Sequence, residues 1–425
     1  MNEEFLYYIW QHHVRLQVKY DTVEGISFVV LNKGFQNTNA GADVSHVKLK
    51  IDDVEWSGCV EFHIKSSDWY THNHHSDPAY NNVVLHFVSE KDRNVYTEDG
   101  RELLTFIFPD LLKYYNIFQN TFSSKQFIYC EKHFARVSSF IKNMWLQRLV
   151  IERSEAKTET VFHLLSQNNN DWEETAYQLF VRYLGQKLNG DIFEQLARRL
   201  PQNILAKHKS SLLQIEALLF GQAGMLEDEI DDSYFKKLKT EYQFLQRKYD
   251  LAPMEVSQWK YLRLRPANFP SLRIAQLAML IHKSSGIFSQ LLNIEQLESL
   301  RKLFEFGTSE YWCKHYVFGK ESARESQRKI GEKLQDILII NSVVPLLFAY
   351  SQYIGDIKWQ EKALRLLGEI DAESNYIIHG FNRLGQKPKS SYDTQALIQL
   401  KNNYCDFRRC EQCTIGHEIL KTCYI

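Results

Sequence analysis

Asp43, Glu61, His63 and Lys65 are the residues whose types and spacing point first to chemistry. Glu61, His63 and Lys65 alternate with Val60, Phe62 and Ile64, so a strand over residues 56–65 sets the polar groups on one face and the apolar groups on the other. Asp43 precedes a second alternating run, Val47, Leu49 and Ile51 with Lys48 and Lys50 between them, which ends at Asp52-Asp53. A hairpin at that pair brings Asp43 beside Glu61. Two carboxylates on neighbouring strands make an oxygen-rich site for Mg²⁺ or Mn²⁺, and a nearby cation steadies an attacking water or a phosphate. The layout suits phosphodiester hydrolysis: Asp43, Glu61 and His63 as metal ligands, His63 alternatively as a proton carrier, and Lys65 as an electrostatic aid.

Of the 15 histidines, His46, His63, His72, His74, His75 and His86 fall within one short window. A nitrogen-rich zinc centre is therefore the rival, with His72 and His74, or His72 and His75, joining His63 and Asp43 or Asp77. It would make the chain a zinc-dependent hydrolase of another substrate. A third reading, from a different class, is a non-catalytic nucleic-acid or protein-binding scaffold, because polar residues alternate on any half-exposed strand and Asp43 can cap a turn. The coordination separates them: octahedral and oxygen-rich for the nuclease, tetrahedral and nitrogen-rich for the zinc hydrolase.

Near the end of the chain Cys405, Cys410 and Cys413 give C-x4-C-x2-C, whose C-x2-C half is a chelating spacing for Zn²⁺ or for iron in an iron–sulfur cluster. His417 would complete a Cys₃His zinc site, and Cys130 or Cys423 a Cys₄ site; free thiols packed as small hydrophobes are the plain alternative. A C-terminal cysteine trio tied to a distant cysteine resembles the iron–sulfur-stapled nucleases, which implies Cys130. Arg263, Arg265 and Arg273 flank the turn Pro266–Pro270, which leads into a helix at about Ser271. A helix N-terminus beside Arg265 and Arg273 can bind phosphate, and the competing reading pairs these arginines with carboxylates.

The elements that must position these groups follow from pattern. Asn2 caps a helix from Glu3 to about Leu16, strands follow at 26–31, 47–51 and 56–65, a polar crossover runs from Asp68 to about Tyr80, and Val83–Val88 is a central strand. Beyond about Lys125 the patterns are helical, among them Phe140–Ser154, Trp172–Leu188, Asp232–Tyr249, Ser271–Ser284 and Gly319–Asn341. The expected class is α+β, a small mixed sheet followed by a large all-helical region, divided as 1–125, 126–390 and a 391–425 segment of helix and cysteines. With 51 basic and 52 acidic residues no global field favours nucleic acid, so any such binding is local. The absence of an 18-residue apolar run or a signal-like start, together with an odd set of seven cysteines, leads us to expect a cytoplasmic protein without membrane contact.

The order helix, strand, strand with leading Asp, strand with Glu-x-His/Lys, crossover, strand resembles the PD-(D/E)XK nuclease superfamily over roughly the first 110 residues, with Ala42 where the motif has Pro and His63 where it has Lys. The resemblance implies a Mg²⁺- or Mn²⁺-dependent nuclease. Over most of its length the chain resembles an uncharacterised bacterial family of unknown function. The carrying motifs are Asn39–Asp43, Trp56–Trp69, His72-Asn73-His74, Asp77–Tyr80, Val84–His86, Glu216–Gly224, Arg265–Pro270 and Arg273–Ala278.

Overall fold

A computed structural model of the chain describes residues 1–37, 40–123, 127–284 and 286–423; Thr38, Asn39 and Lys125, which the sequence patterns involve, lie outside these ranges. Two compact units form. The first comprises Met1–Trp145, Arg383–Gly385 and Leu400–Ile425, so the cysteine segment belongs to it; the second comprises Leu146–Asn382 and Gln386–Gln399. The class is α+β, with the mixed sheet in the N-terminal part and helices dominating the rest.

The first unit opens with helix α1 (Glu3–His12), whose cap is the Asn2 carboxamide oxygen accepting from the Phe5 amide at 3.2 Å. There follow β1 (Lys19–Asp21), β2 (Ser27–Asn32), β3 (Phe35–Gln36), β4 (Val44–Ile51), β5 (Val54–Lys65), the short helix α2 (Asp68–Thr71), β6 (Val83–Glu90) and β7 (Thr105–Phe106). The sheet order is β1-β2-β4-β5-β6-β7, with β3 also on β4. Pairing is antiparallel as far as β5 and parallel from β5 through β6 to β7. Ile51 pairs with Val54 across the Asp52-Asp53 turn, where Asp52 takes φ 53°, a left-handed geometry that Asp tolerates in tight hairpins.

One sheet face is aromatic. Phe62, Phe87 and Phe106 stand side by side on β5, β6 and β7, with centroids 5.5 and 5.1 Å apart, and Trp10 of α1 closes over the first two. The opposite face was expected to be half exposed. Instead α2 and residues 74–80 cover it, and Trp69 at 0% exposure joins Ala42, Cys59, Val83, Val95 and Leu103 in a second small core. The alternation in β5 therefore separates two buried faces, and Glu61 and His63 lie inside.

Several boundaries differ from the pattern reading. Helix α1 stops at His12, four residues short of Leu16, and β1, β3 and β7 are too short to show a period. The helix expected over Gly319–Asn341 is a hairpin, His315–Val317 with Lys320–Glu321, because Gly319 turns the chain at φ 67°. The helix starts only at Glu332 and runs to Ile354. By length and composition that helix could cross a membrane, yet 67% of its most apolar stretch is buried within the chain.

The second unit is built of capped amphipathic helices around the apolar helix Leu212–Gln222. Asp232 caps Ser233–Tyr249 by accepting from Phe235 N at 2.8 Å, and Gly221 is required because a Cβ there would meet the Tyr242 ring at 2.1 Å. Glu216, at 0% exposure, is raised by burial from its ordinary 4.5 to about 7, although the hydroxyls of Tyr234 and Ser309 donate to it. The unfolded chain thus loses this proton first, and the stability present below about pH 4.5 is lost as the pH climbs through about 7. Glu216→Gln is expected to abolish that decline, worth roughly 2–3 kcal/mol between these limits. Urea unfolding of both proteins at pH 5 and pH 8 measures it, and parallel losses in the two would refute the assignment.

Candidate metal centre

The strand and crossover bring the histidines together through a series of local bonds. Where β5 ends, Asp92 holds the next two residues: Ser67 donates to it from its amide at 2.8 Å and from its hydroxyl at 2.6 Å. Asp68 accepts the Lys65 amide at 2.9 Å. These bonds fix the start of α2 and set Trp69 down on the sheet, its Nε1 donating to Tyr96 O at 3.0 Å. The Trp69 ring lies 5.2–6.3 Å from the rings of His74, His86 and His63. Asn73 then adopts φ 63°, a left-handed position that an Asn side chain tolerates, and this reversal aims both His72 and His74 at His63. Tyr80, delivered by the short turn that Asp77 caps, stacks on His74 at 3.8 Å.

The result is a cluster of nitrogens around a carboxylate. His63 Nε2 is 3.0 Å from His72 Nδ1 and 3.9 Å from Glu61 Oε1, and His74 Nε2 is 3.2 Å from the same oxygen. His63, His72 and His74 each offer a ligand atom within 4.8 Å of the others, which among the described residues makes them the one such group of three. The remaining nitrogen of His63, Nδ1, is 2.8 Å from His86 Nε2. Glu61 is held by its other oxygen, which accepts the Asp43 amide at 3.0 Å, while the Asp43 carboxylate accepts the Phe62 amide at 3.0 Å.

Burial sets the charge states. Desolvation, then the neighbouring histidines, push His63 down to about 2, and burial takes His86 to about 3, so both are neutral imidazoles with lone pairs to offer. Burial and the adjacent Glu61 raise Asp43 to about 6. His74 Nε2 is buried and, despite its closeness to Glu61, makes no aligned hydrogen bond. A buried polar atom without a partner costs about 1–3 kcal/mol, which a coordinated cation would remove. Tetrahedral ligation at zinc bonds of ~2.0–2.1 Å places nitrogens about 3.4 Å apart, within the span found here. These residues fit a divalent metal.

A family profile described as "Protein of unknown function (DUF2851)" matches residues 3–376. The chain belongs to this family. No curated protein and no solved structure matches it.

In this DUF2851 chain the residues singled out from sequence separate into groups. Glu61 and His63 meet at the cluster; Asp43 adjoins it through the two backbone hydrogen bonds, with its carboxylate outside the trio of ligand atoms. Lys65, exposed at the strand end, has its ammonium 3.9 Å from Glu90. His75 packs on Tyr70, and His46 is exposed. Cys130, Cys405, Cys410 and Cys413 line one cavity, whereas His417 lies 3.2 Å from the Tyr8 hydroxyl and its ring is 3.8 Å from that of His12. Arg265 is exposed, and Arg273 is buried with its guanidinium donating to Gln276 and Asn268 at 2.7 and 2.6 Å and, among the described residues, in no ion pair. Sequence reasoning counted His86 in the histidine window without giving it a role, and gave none to Trp69, Tyr80 or Glu3; burial and then Asp43 raise the Glu3 carboxyl, which places it in the same acidic neighbourhood. A histidine inside the apolar run Val83–Val88 was the available signal for His86.

A metal on His63 Nε2 would leave the proton on Nδ1, which would then donate to His86 Nε2, 2.8 Å away, and fix the tautomer. His86→Leu is expected to weaken metal binding about 10–100-fold, and His86→Gln, whose carbonyl can accept the same proton, to recover part of the loss. Competition with a chelating dye reads this; equal affinity in His86→Leu and the parent would dismiss the role.

Proposed function

We propose that the chain is a metal-dependent hydrolase of phosphodiesters in nucleic acid, with the metal on His63, His72 and His74 and Glu61 as general base. The observation that carries the reading is the convergence of three imidazole nitrogens within 4.8 Å beside the Glu61 carboxylate. The donor set is nitrogen-rich, which departs from the oxygen-rich Mg²⁺ or Mn²⁺ centre expected of a nuclease and favours Zn²⁺, with Mn²⁺ as an alternative; the phosphodiester substrate is kept on element order alone. A bound divalent ion supplies a water acidified toward ~7 and a Lewis acid for the scissile group. Glu61 Oε1 takes the water's proton, while its partner oxygen, tethered to the Asp43 amide, keeps the carboxylate aimed. His63, held by His86, and His74, stacked on Tyr80, are fixed against rotation.

The phosphodiester assignment is supported by element order. On the resemblance to PD-(D/E)XK nucleases, helix α1, the antiparallel β2-β4-β5, the α2 crossover and the parallel β6 would correspond to the elements that present their acidic residues, and His63 to their lysine. Seven free cysteines accord with a reducing cytoplasm. The test is metal analysis of the purified full chain, followed by single-stranded, double-stranded and structured DNA and RNA with Zn²⁺, Mn²⁺ and Mg²⁺ in turn. Cleavage with Zn²⁺ or Mn²⁺ is expected. Bound metal with every nucleic acid intact, but turnover of an ester or amide, would assign the zinc-hydrolase alternative; no metal and no turnover would leave the scaffold.

A further inference from the structure

We infer that Cys130, Cys405, Cys410 and Cys413 hold an iron–sulfur cluster in the first unit. These four cysteines, with Tyr129, Tyr404, Arg409 and Gly416, line a single small cavity of about 20 Å³, room for about one water molecule. None of the four is in a disulfide. Cys130, Cys410 and Cys413 are buried and Cys405 is half-buried.

Three readings compete for such a cavity. Thiols that merely pack have no reason to gather, and here four of the seven cysteines, from position 130 and from 405–413, meet at one cavity. A single zinc at Zn–S of ~2.3 Å would draw each pair of sulfurs to about 3.8 Å. Among the described residues the histidine trio is the one group of three ligand atoms within 4.8 Å of one another, so no three of these sulfurs are drawn in that far. Four thiols that face one cavity but stand too far apart for one ion suit a ligand with several metal atoms, each taking one thiolate.

The surroundings suit an anionic cluster. Arg409 lines the cavity. The backbone is shaped for it as well: at Gly416 a Cβ would meet the Cys410 carbonyl oxygen at 2.1 Å, so only glycine lets the last helix, Thr414–Cys423, approach the Cys410–Cys413 loop. Loading by ligand exchange from a preformed cluster is balanced. Four S–H protons leave to solvent, four iron–thiolate bonds form, the carrier's ligands depart, and the iron valences are unchanged. The role is to clamp the 405–413 segment to Cys130, at the start of the helix Glu131–Phe134.

The test is independent of the hydrolase reading. The full chain is purified anaerobically, treated with iron salts, sulfide and a thiol, desalted, and assayed for iron, acid-labile sulfide, zinc and visible absorbance. Iron and sulfide in equal, more than single amounts per chain, with absorbance bleached by dithionite, are expected. One zinc without sulfide, or no metal after this treatment, overturns the inference. Cys405→Ser should lose most of the visible absorbance, whereas Cys313→Ser and Cys423→Ser, outside the cavity, should keep it. Should Cys405→Ser fail to fold, the iron and sulfide content of the parent chain still decides.

Discussion

Replacing His74 with alanine is expected to lower the affinity for Zn²⁺ by on the order of 10²-fold and to reduce hydrolysis in proportion at limiting metal. Structural zinc sites with four protein ligands bind with about 10–16 kcal/mol in apparent free energy, roughly 3 kcal/mol per ligand, and loss of one histidine from the proposed three is expected to cost about two decades on that scale. His74 is the right ligand to remove because, unlike His63, it lies outside the sheet. It comes from the crossover, not from a strand, and its Nε2 has no aligned hydrogen bond to lose. Trp69 stays in place through its own bond to Tyr96, so the second core survives the substitution. Chelator competition and circular dichroism on the same preparation give the answer. A folded His74→Ala protein with parental metal affinity would rule out the three-histidine centre.

Glu61→Gln is expected to lower kcat by about 10²–10⁴-fold while the metal stays bound, the range associated with loss of a general base. Glutamine has nearly the same shape, and its carbonyl oxygen can go on accepting the Asp43 amide, but an amide cannot take a proton from water. Alanine would be a poor probe here. Glu61 is only 5% exposed, and its removal would leave the Asp43 N–H unpaired inside the unit at a cost of about 1–3 kcal/mol. The same substitution removes the like charge beside Asp43, so the Asp43 carboxyl should titrate lower, an effect that carbon-13 NMR of labelled aspartate can follow. Parental turnover in Glu61→Gln would remove Glu61 from the chemistry. Loss of metal together with turnover would reassign it as a ligand.

His63→Lys discriminates between the nuclease-like and the nitrogen-rich reading of the same strand. It installs the lysine of the PD-(D/E)XK pattern but deletes the nitrogen that sits 3.0 Å from His72 and the donor to His86. On the three-histidine reading it costs metal and activity together.

The sequence by itself determined the order of the first helix and of β2, β4, β5 and β6, the longer strands of the first unit. Period-two alternation marks β4 and β5, Asp52-Asp53 marks the turn between them, and the hairpin register then obliges Asp43 to lie beside Glu61. Cysteine spacing likewise marked Cys405, Cys410 and Cys413 as a group. Only the tertiary structure decided which face of β5 was covered, because alternation separates two faces without saying what packs on either. It also chose His72 and His74 over His75 and Asp77, a choice that turns on the left-handed conformation of Asn73. His86 read as one residue of an apolar strand until its pairing opposite Glu61 placed it beneath His63. Cys130 joins the distant thiols for the same reason: the proximity of residues far apart in the chain is set by packing, which local periodicity does not encode.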